Sequence, residues 1–150
     1  MTAFVLFWVG LALLTRKLAG SSDIVLPEWT WPIGSAMTIG GGALAIGCGL
    51  TLAVAGLGTP AHFDAPRIFV AIGPYRFVRN PMYIGAFIAI VGFALFKRSA
   101  AMLLFTLLPA AYIRFMAVSV EEPALERQFG ESYVAYRNSV RRWLPRWPRR

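Results

Sequence analysis

Charge is scarce in this 150-residue chain, and acid is scarcest: seven Asp and Glu stand against fifteen Lys and Arg, for a net charge of +8. Only 15% of residues are charged, while 57% are hydrophobic. A chain this short lacks the polar surface to cover so much apolar area, which argues against a water-soluble helical bundle. There is one cysteine, Cys48, so no intrachain disulfide can form. The lone His62 makes no metal set with it and reads as an interfacial loop residue. The glycine run at 40–42 is not a phosphate loop, because no strand precedes it and no GK[ST] follows. No nucleic-acid motif accompanies the basic excess, whose plainer use is to hold cytoplasmic flanks against anionic lipid. The N-terminal apolar stretch has no basic segment before it, and Arg16-Lys17 follow it. It is therefore expected to be a retained first span rather than a cleaved signal.

The charges that are present fall in short clusters between long apolar runs, and mean hydropathy is +0.59. That layout predicts an all-α integral membrane protein: four transmembrane helices, the last two a hairpin, plus a C-terminal amphipathic helix. The whole chain, 1–150, reads as a single domain, with spans at about 3–19, 33–57, 82–96 and 100–120. Trp29 and Trp31, beside Pro27 and Pro32, suit the headgroup belt, and Trp143 and Trp147 read as interface anchors. Within the second span Ala45, Gly49 and Ala53, and likewise Ala43, Gly47, Thr51 and Ala55, recur every four residues and predict close helix packing. Pro109 is expected to kink the fourth span, and Pro123 to break the helix near Glu122. Beyond it, Leu125, Phe129, Tyr133, Tyr136 and Val140 form one apolar stripe, predicting an amphipathic helix over about 123–140. Lys and Arg counts place the 58–81 connection and the C-terminal segment on one side. By the positive-inside rule both termini are cytoplasmic, in an inner (plasma) membrane.

Two polar clusters abut the membrane on that face. One is GPYRFVRNPMYIG, residues 73–85, which carries Tyr75, Arg76, Arg79, Asn80 and Tyr83. The other is Arg114 with Glu121-Glu122; Arg114 and Glu121 are seven apart and share a helix face. Ionisable groups at such a depth face a cavity and pair with something. A structural cluster of ion pairs pinning the span ends is the plain reading. The alternative is a pocket in which arginines meet a carboxylate or phosphate and the glutamates meet ribose hydroxyls or a cation, so that it holds a zwitterionic cofactor beside a lipid-facing slot.

At these residues the chain resembles the isoprenylcysteine carboxyl methyltransferase family and its relatives among the phospholipid N-methyltransferases. GPYRFVRNPMYIG follows the pattern GPY-x-x-x-R-H-P-x-Y-x-G, and EEPALERQFGESYVAY follows EE-x-x-L-x-x-x-F-G-x-x-Y-x-x-Y. The two motifs occur in the family's order and cover residues 73–145, about half the chain. The resemblance implies S-adenosylmethionine as methyl donor, bound in a membrane-embedded pocket. It implies that Tyr75, Arg79, Asn80, Pro81, Tyr83, Gly85, Glu121 and Glu122 line the cofactor site. Asn80 stands where the family has His, and an amide does not titrate near neutrality.

The reaction implied is methyl transfer to a lipophilic small molecule or lipid with a carboxylate, thiol or amine acceptor. Membrane lipids are the surrounding partners, and no nucleic acid or metal is expected. Such transfer asks mainly for in-line positioning of a desolvated nucleophile. Arg114 and Arg137 are the candidates to orient an acidic acceptor. Tyr133 and Tyr136 read as structural or as lining of the lipid slot. The rival readings are an NADPH-dependent membrane reductase of the sterol-reductase type and a non-enzymatic helical scaffold.

Overall fold

The computed structural model describes residues 2–55 and 70–145. The connection at 58–69, with His62 and Arg67, and the end of the tail, with Trp147, lie outside the described residues. The helices are α1 (Thr2–Ala19), α2 (Thr30–Ala55), α3 (Pro81–Phe96), α4 (Ala100–Phe105), α5 (Leu107–Phe115), α6 (Glu122–Phe129) and α7 (Glu131–Ser139). Single 3₁₀ turns occupy Gly20–Ser22 and Gly73–Arg76, and a π turn occupies Met116–Glu121. The described residues form no strand; one isolated bridge joins Val25 to Ser99.

Two helical stretches are long and apolar enough to cross a membrane: Thr30–Ala55, and Ala100–Phe129, which runs through α4, α5, the π turn and α6. Only 17% of the most apolar window of the first is buried, whereas a soluble protein's core helix would be mostly covered. Ile39, Ile46, Leu50 and Val54 stand exposed along it, the pattern of a lipid-facing surface. Pro81–Phe96 is apolar but shorter.

The chain divides into two compact units, Met1–Ala43 with Gly85–Tyr112, and Leu44–Ile84 with Ile113–Arg150. In the first unit, α2 and α3 approach until only glycine fits. A Cβ on Gly92 would lie 2.6 Å from the Thr38 backbone nitrogen, and one on Gly41 would lie 2.6 Å from the Gly85 carbonyl oxygen. Gly34 is pressed against Leu95 and Phe96 backbone in the same way. The small residues predicted for this task were those around 43–55. Of these, Gly47 meets nothing within 4 Å while Ala45 is buried, and the glycine-dependent close approach lies at the earlier Gly34 and Gly41. A core of Ala12, Ala94 and Met102, flanked by Phe93, Leu103 and Phe105, joins α1, α3 and α4.

The same unit contains a polar clamp. Asp23 accepts hydrogen bonds from the Ser99 hydroxyl and from the Ala101 backbone N–H at 3.0 Å. Ser99 in turn caps α4 by accepting from Met102 N–H at 3.1 Å, so two orphan N–H groups at that helix start are satisfied together. Arg98, in the left-handed region at φ +56°, donates through Nε to the Leu26 carbonyl at 2.9 Å.

The prolines act differently from expectation in one case of two. Pro109 cannot donate to the carbonyl four residues before it, and the α-helix is interrupted at Thr106. Pro123 does not break the chain. The helix instead widens ahead of it: Glu122 N–H donates to Ala117 O, five residues back, and α6 continues with Pro123 in its first turn, where a missing N–H costs nothing. The single amphipathic helix expected over 123–140 is two helices, divided at Gly130, whose φ of +53° ends α6.

Candidate functional site

The second unit gathers the polar residues. Gly73, at φ +55°, opens the tight turn that precedes α3, and Pro74 in its first positions sets the following backbone. The turn buries Tyr75, whose hydroxyl reaches the Cys48 carbonyl on α2 at 3.5 Å. The Tyr75 carbonyl accepts from the Tyr136 hydroxyl at 2.6 Å, and Arg79 N–H donates to the Arg141 carbonyl at 2.9 Å. The turn is thus strapped on one side by α7 and by the chain that leaves it. Pro81, fully buried, starts α3 at the position where its missing N–H is harmless.

From this frame Arg79 meets the paired carboxylates. Its Nη1 stands 3.2 Å from Glu122 Oε1, with both side chains about one-tenth exposed. Arg142 takes the same carboxylate in a two-pronged grip, Nε to Oε1 at 2.6 Å and Nη2 to Oε2 at 2.8 Å. The neighbouring Glu121 accepts from the Tyr83 hydroxyl. The π turn makes this division possible: by adding a residue to the helical turn it changes the facing of everything after it, by about 100° per residue.

The site is incompletely satisfied. Arg79 Nη1 is near Glu122 but out of line for a hydrogen bond. Arg79 Nε, Arg79 Nη1 and Asn80 Nδ2 are buried with no hydrogen-bond partner among the described residues. Two guanidiniums share the Glu122 carboxylate and Glu121 stands beside it, so what an anion would satisfy is the set of unpaired donors on Arg79 and Asn80. Burial pushes the Tyr75 and Tyr136 phenols well above their ordinary range. Tyr133 also rises, by burial first and then by the Glu122 charge, with Arg79 opposing. The three phenols therefore stay protonated near neutrality and serve as donors rather than bases.

The remaining predicted residues lie elsewhere. Gly85 falls in the first unit, where its carbonyl packs at Gly41. Arg137 is engaged by Glu126, Nη1 to Oε2 at 2.6 Å, in a clasp between α7 and α6. Arg114 is exposed on α5. Arg142 was not singled out by sequence reasoning, which saw it as one of several arginines in a basic, Trp-bearing tail. Its place directly after the amphipathic segment was the available signal.

A family model described as phospholipid methyltransferase matches residues 29–132 of the chain. The chain is also similar to methanethiol S-methyltransferase 1 of Bradyrhizobium diazoefficiens, with 34% identity over 91 residues. That match covers 61% of this chain but 28% of the relative, so the chain spans well under half of the relative's length.

Proposed function

We propose, from the premise that this chain belongs to the phospholipid methyltransferase family, that it is a membrane-embedded methyltransferase that uses S-adenosylmethionine. The observation that carries the reading is the set of buried, unpartnered N–H groups on Arg79 and Asn80 beside a doubly held Glu122. They fit a zwitterionic donor: Arg79 and the Asn80 amide suit its carboxylate, and Glu121, oriented by Tyr83, suits its amine or ribose hydroxyls. S-adenosylmethionine would supply an already activated methyl group on its sulfonium.

What the chain contributes is binding, orientation and exclusion of water. Tyr75 and Tyr136 lock the turn, Tyr83 aims Glu121, and the guanidiniums hold Glu122 in place. The site is poor in bases. Asn80 does not titrate, the phenols are held protonated, and Glu122 is tied to two cations. An acceptor that ionises by itself therefore fits better than an ammonium that must first lose a proton. Among such acceptors a lipophilic thiol is favoured, since the curated relative is by name a methanethiol S-methyltransferase. The thiolate is the attacking form of such an acceptor, and its sulfur is a strong nucleophile toward the methyl carbon.

The proposal includes the topology: α1, α2, α3 and the stretch Ala100–Phe129 cross an inner membrane, with both termini cytoplasmic. Reporter fusions at the two ends and at Lys97–Ser99 test it. The activity is tested by isothermal titration of detergent-purified protein with S-adenosylhomocysteine, followed by incubation with methyl-labelled donor and either alkanethiols, fatty acids or amine-headed lipids. Heat of binding that is lost in R79A, and label on thiols, are the expected results. Absence of binding to the wild-type protein would sink the reading.

A further inference from the structure

Glu122 is contested. Both of its oxygens are taken by Arg142, at 2.6 and 2.8 Å, in the planar geometry that suits a guanidinium and a carboxylate. Arg79, whose side chain is as buried as Glu122 itself, bonds the Tyr133 hydroxyl but meets Glu122 only off line at 3.2 Å, and its buried Nε and Nη1 stay unpaired. A guanidinium in that position would gain by taking the carboxylate for itself, since an unpaired buried donor costs more than an exposed one. What prevents it is that Arg142 already holds the two-pronged face of the carboxylate, so that Arg79 can approach only the lone pairs outside that grip. The backbone holds the competitor in place: Arg79 N–H donates to the carbonyl of Arg141, so residue 142 is delivered beside the residue it competes with.

We infer that Arg142 is a positioning residue: by holding Glu122 in a two-pronged grip it keeps the carboxylate turned away from Arg79 and the Arg79 N–H groups available for the anionic end of a bound ligand. The ligand end in question is the carboxylate of the methyl donor, and in this the inference rests on the function proposed above. Without Arg142, Glu122 turns its fork to Arg79, that pair becomes neutral and internally satisfied, and the ligand carboxylate must displace a protein carboxylate in order to bind. The effect belongs to the carboxylate alone. A ligand that lacks it does not compete with Glu122 and does not depend on Arg142.

The test is titration calorimetry of the full chain in detergent with S-adenosylhomocysteine and with its decarboxylated analogue, which keeps the amine. In R142Q the affinity for S-adenosylhomocysteine should fall about tenfold or more, the usual weight of a charge-assisted hydrogen bond. In R142K, a point charge that cannot span both oxygens, the fall should be smaller. The decarboxylated analogue should bind wild type and R142Q alike. Adding E122Q to R142Q removes the rival acceptor's charge and should restore much of the lost affinity, a rescue that simple loss of structure does not give. Equal weakening of both ligands, or no rescue, overturns the inference and assigns Arg142 a structural role. Unchanged binding of S-adenosylhomocysteine to R142Q overturns the inference while leaving the donor reading intact. Failure of the wild-type protein to bind S-adenosylhomocysteine removes both.

Discussion

The Tyr83 hydroxyl donates a hydrogen bond to Glu121, joining the first turn of α3 to the end of the π turn. The contact fixes one of two adjacent carboxylates while the guanidiniums fix the other, so the pair is held at both oxygens' expense before any ligand arrives. Y83F keeps the ring and deletes the donor. Hydrogen bonds to a charged group are worth about 1.5–3 kcal/mol, so affinity for S-adenosylhomocysteine should drop roughly tenfold or more in calorimetry. The bond is made in the free protein too, so the thermal midpoint should also fall. Wild-type affinity in Y83F would remove Glu121 from the cofactor site.

Asn80 makes a kinetic prediction. Its amide carries no titrating proton, so its side chain contributes no inflection to methyl transfer between about pH 6 and 7.5. N80H should introduce one, near the ordinary imidazole pKa of about 6.5 or displaced from it by the neighbouring guanidiniums. Those positive charges disfavour imidazolium, so the displacement should be downward. The measurement is kcat/KM against pH for both proteins with one thiol acceptor. An identical profile in the two would mean that position 80 does not face the reacting groups.

The glycines of the first unit predict a stability change with no direct link to chemistry. A methyl added at Gly92 would press on the Thr38 nitrogen and the Gly34 carbonyl, and backbone cannot swing aside as a side chain can. G92A should cost at least the ~1–3 kcal/mol typical of overpacking and lower the thermal midpoint of the detergent-solubilised protein clearly. Gly47, with nothing within 4 Å, supplies the control: G47A should leave the midpoint unchanged or slightly raised.

Asp23 carries a pH dependence. The Ser99 hydroxyl, then the Ala101 N–H, then the Arg16 charge hold its carboxyl below its ordinary value. A carboxylate with a lowered pKa stabilises the fold above its unfolded pKa of about 3.9 and loses that contribution as pH falls through the folded value. D23N should therefore be less stable than wild type at neutral pH, and the gap should close as the medium is acidified below about pH 4. Thermal unfolding of both proteins from pH 7 to 3 measures it. A constant gap would show that Asp23 acts by shape and not by charge.

Much of this was legible in the residues. The helical membrane character followed from long apolar runs, and the resemblance carried by GPYRFVRNPMYIG and EEPALERQFGESYVAY led to the family. That polar groups at two span ends would find partners was legible, but the spacing pointed to Arg114 with Glu121 and not to the contact of Arg79 with Glu122. What escaped prediction was geometry set by backbone. Pro123 was expected to end a helix, but a helix can also meet a proline by widening to five-residue bonding ahead of it, and nothing in MAVSVEEP distinguishes the two. Gly130 sits inside a stripe whose apolar spacing persists on both sides, so periodicity hid the break. The packing glycines were misplaced because spacing of four marks a face but not which face meets a neighbour. Arg142 escaped because, among arginines of equal charge, only three-dimensional reach tells one that grips a buried carboxylate from one that stays in the headgroup layer.

The widened turn at Met116–Glu121 depends on how many residues it holds rather than on which ones. Apolar side chains there can be exchanged for others of fitting size, Ala117 being the tightest since it is wholly buried. Losing a single residue would wind the stretch back to ordinary pitch and swing both glutamates by about 100°, away from Tyr83 and from the arginines at once. Descendants of this chain are therefore free in spelling between 116 and 120 but bound in length.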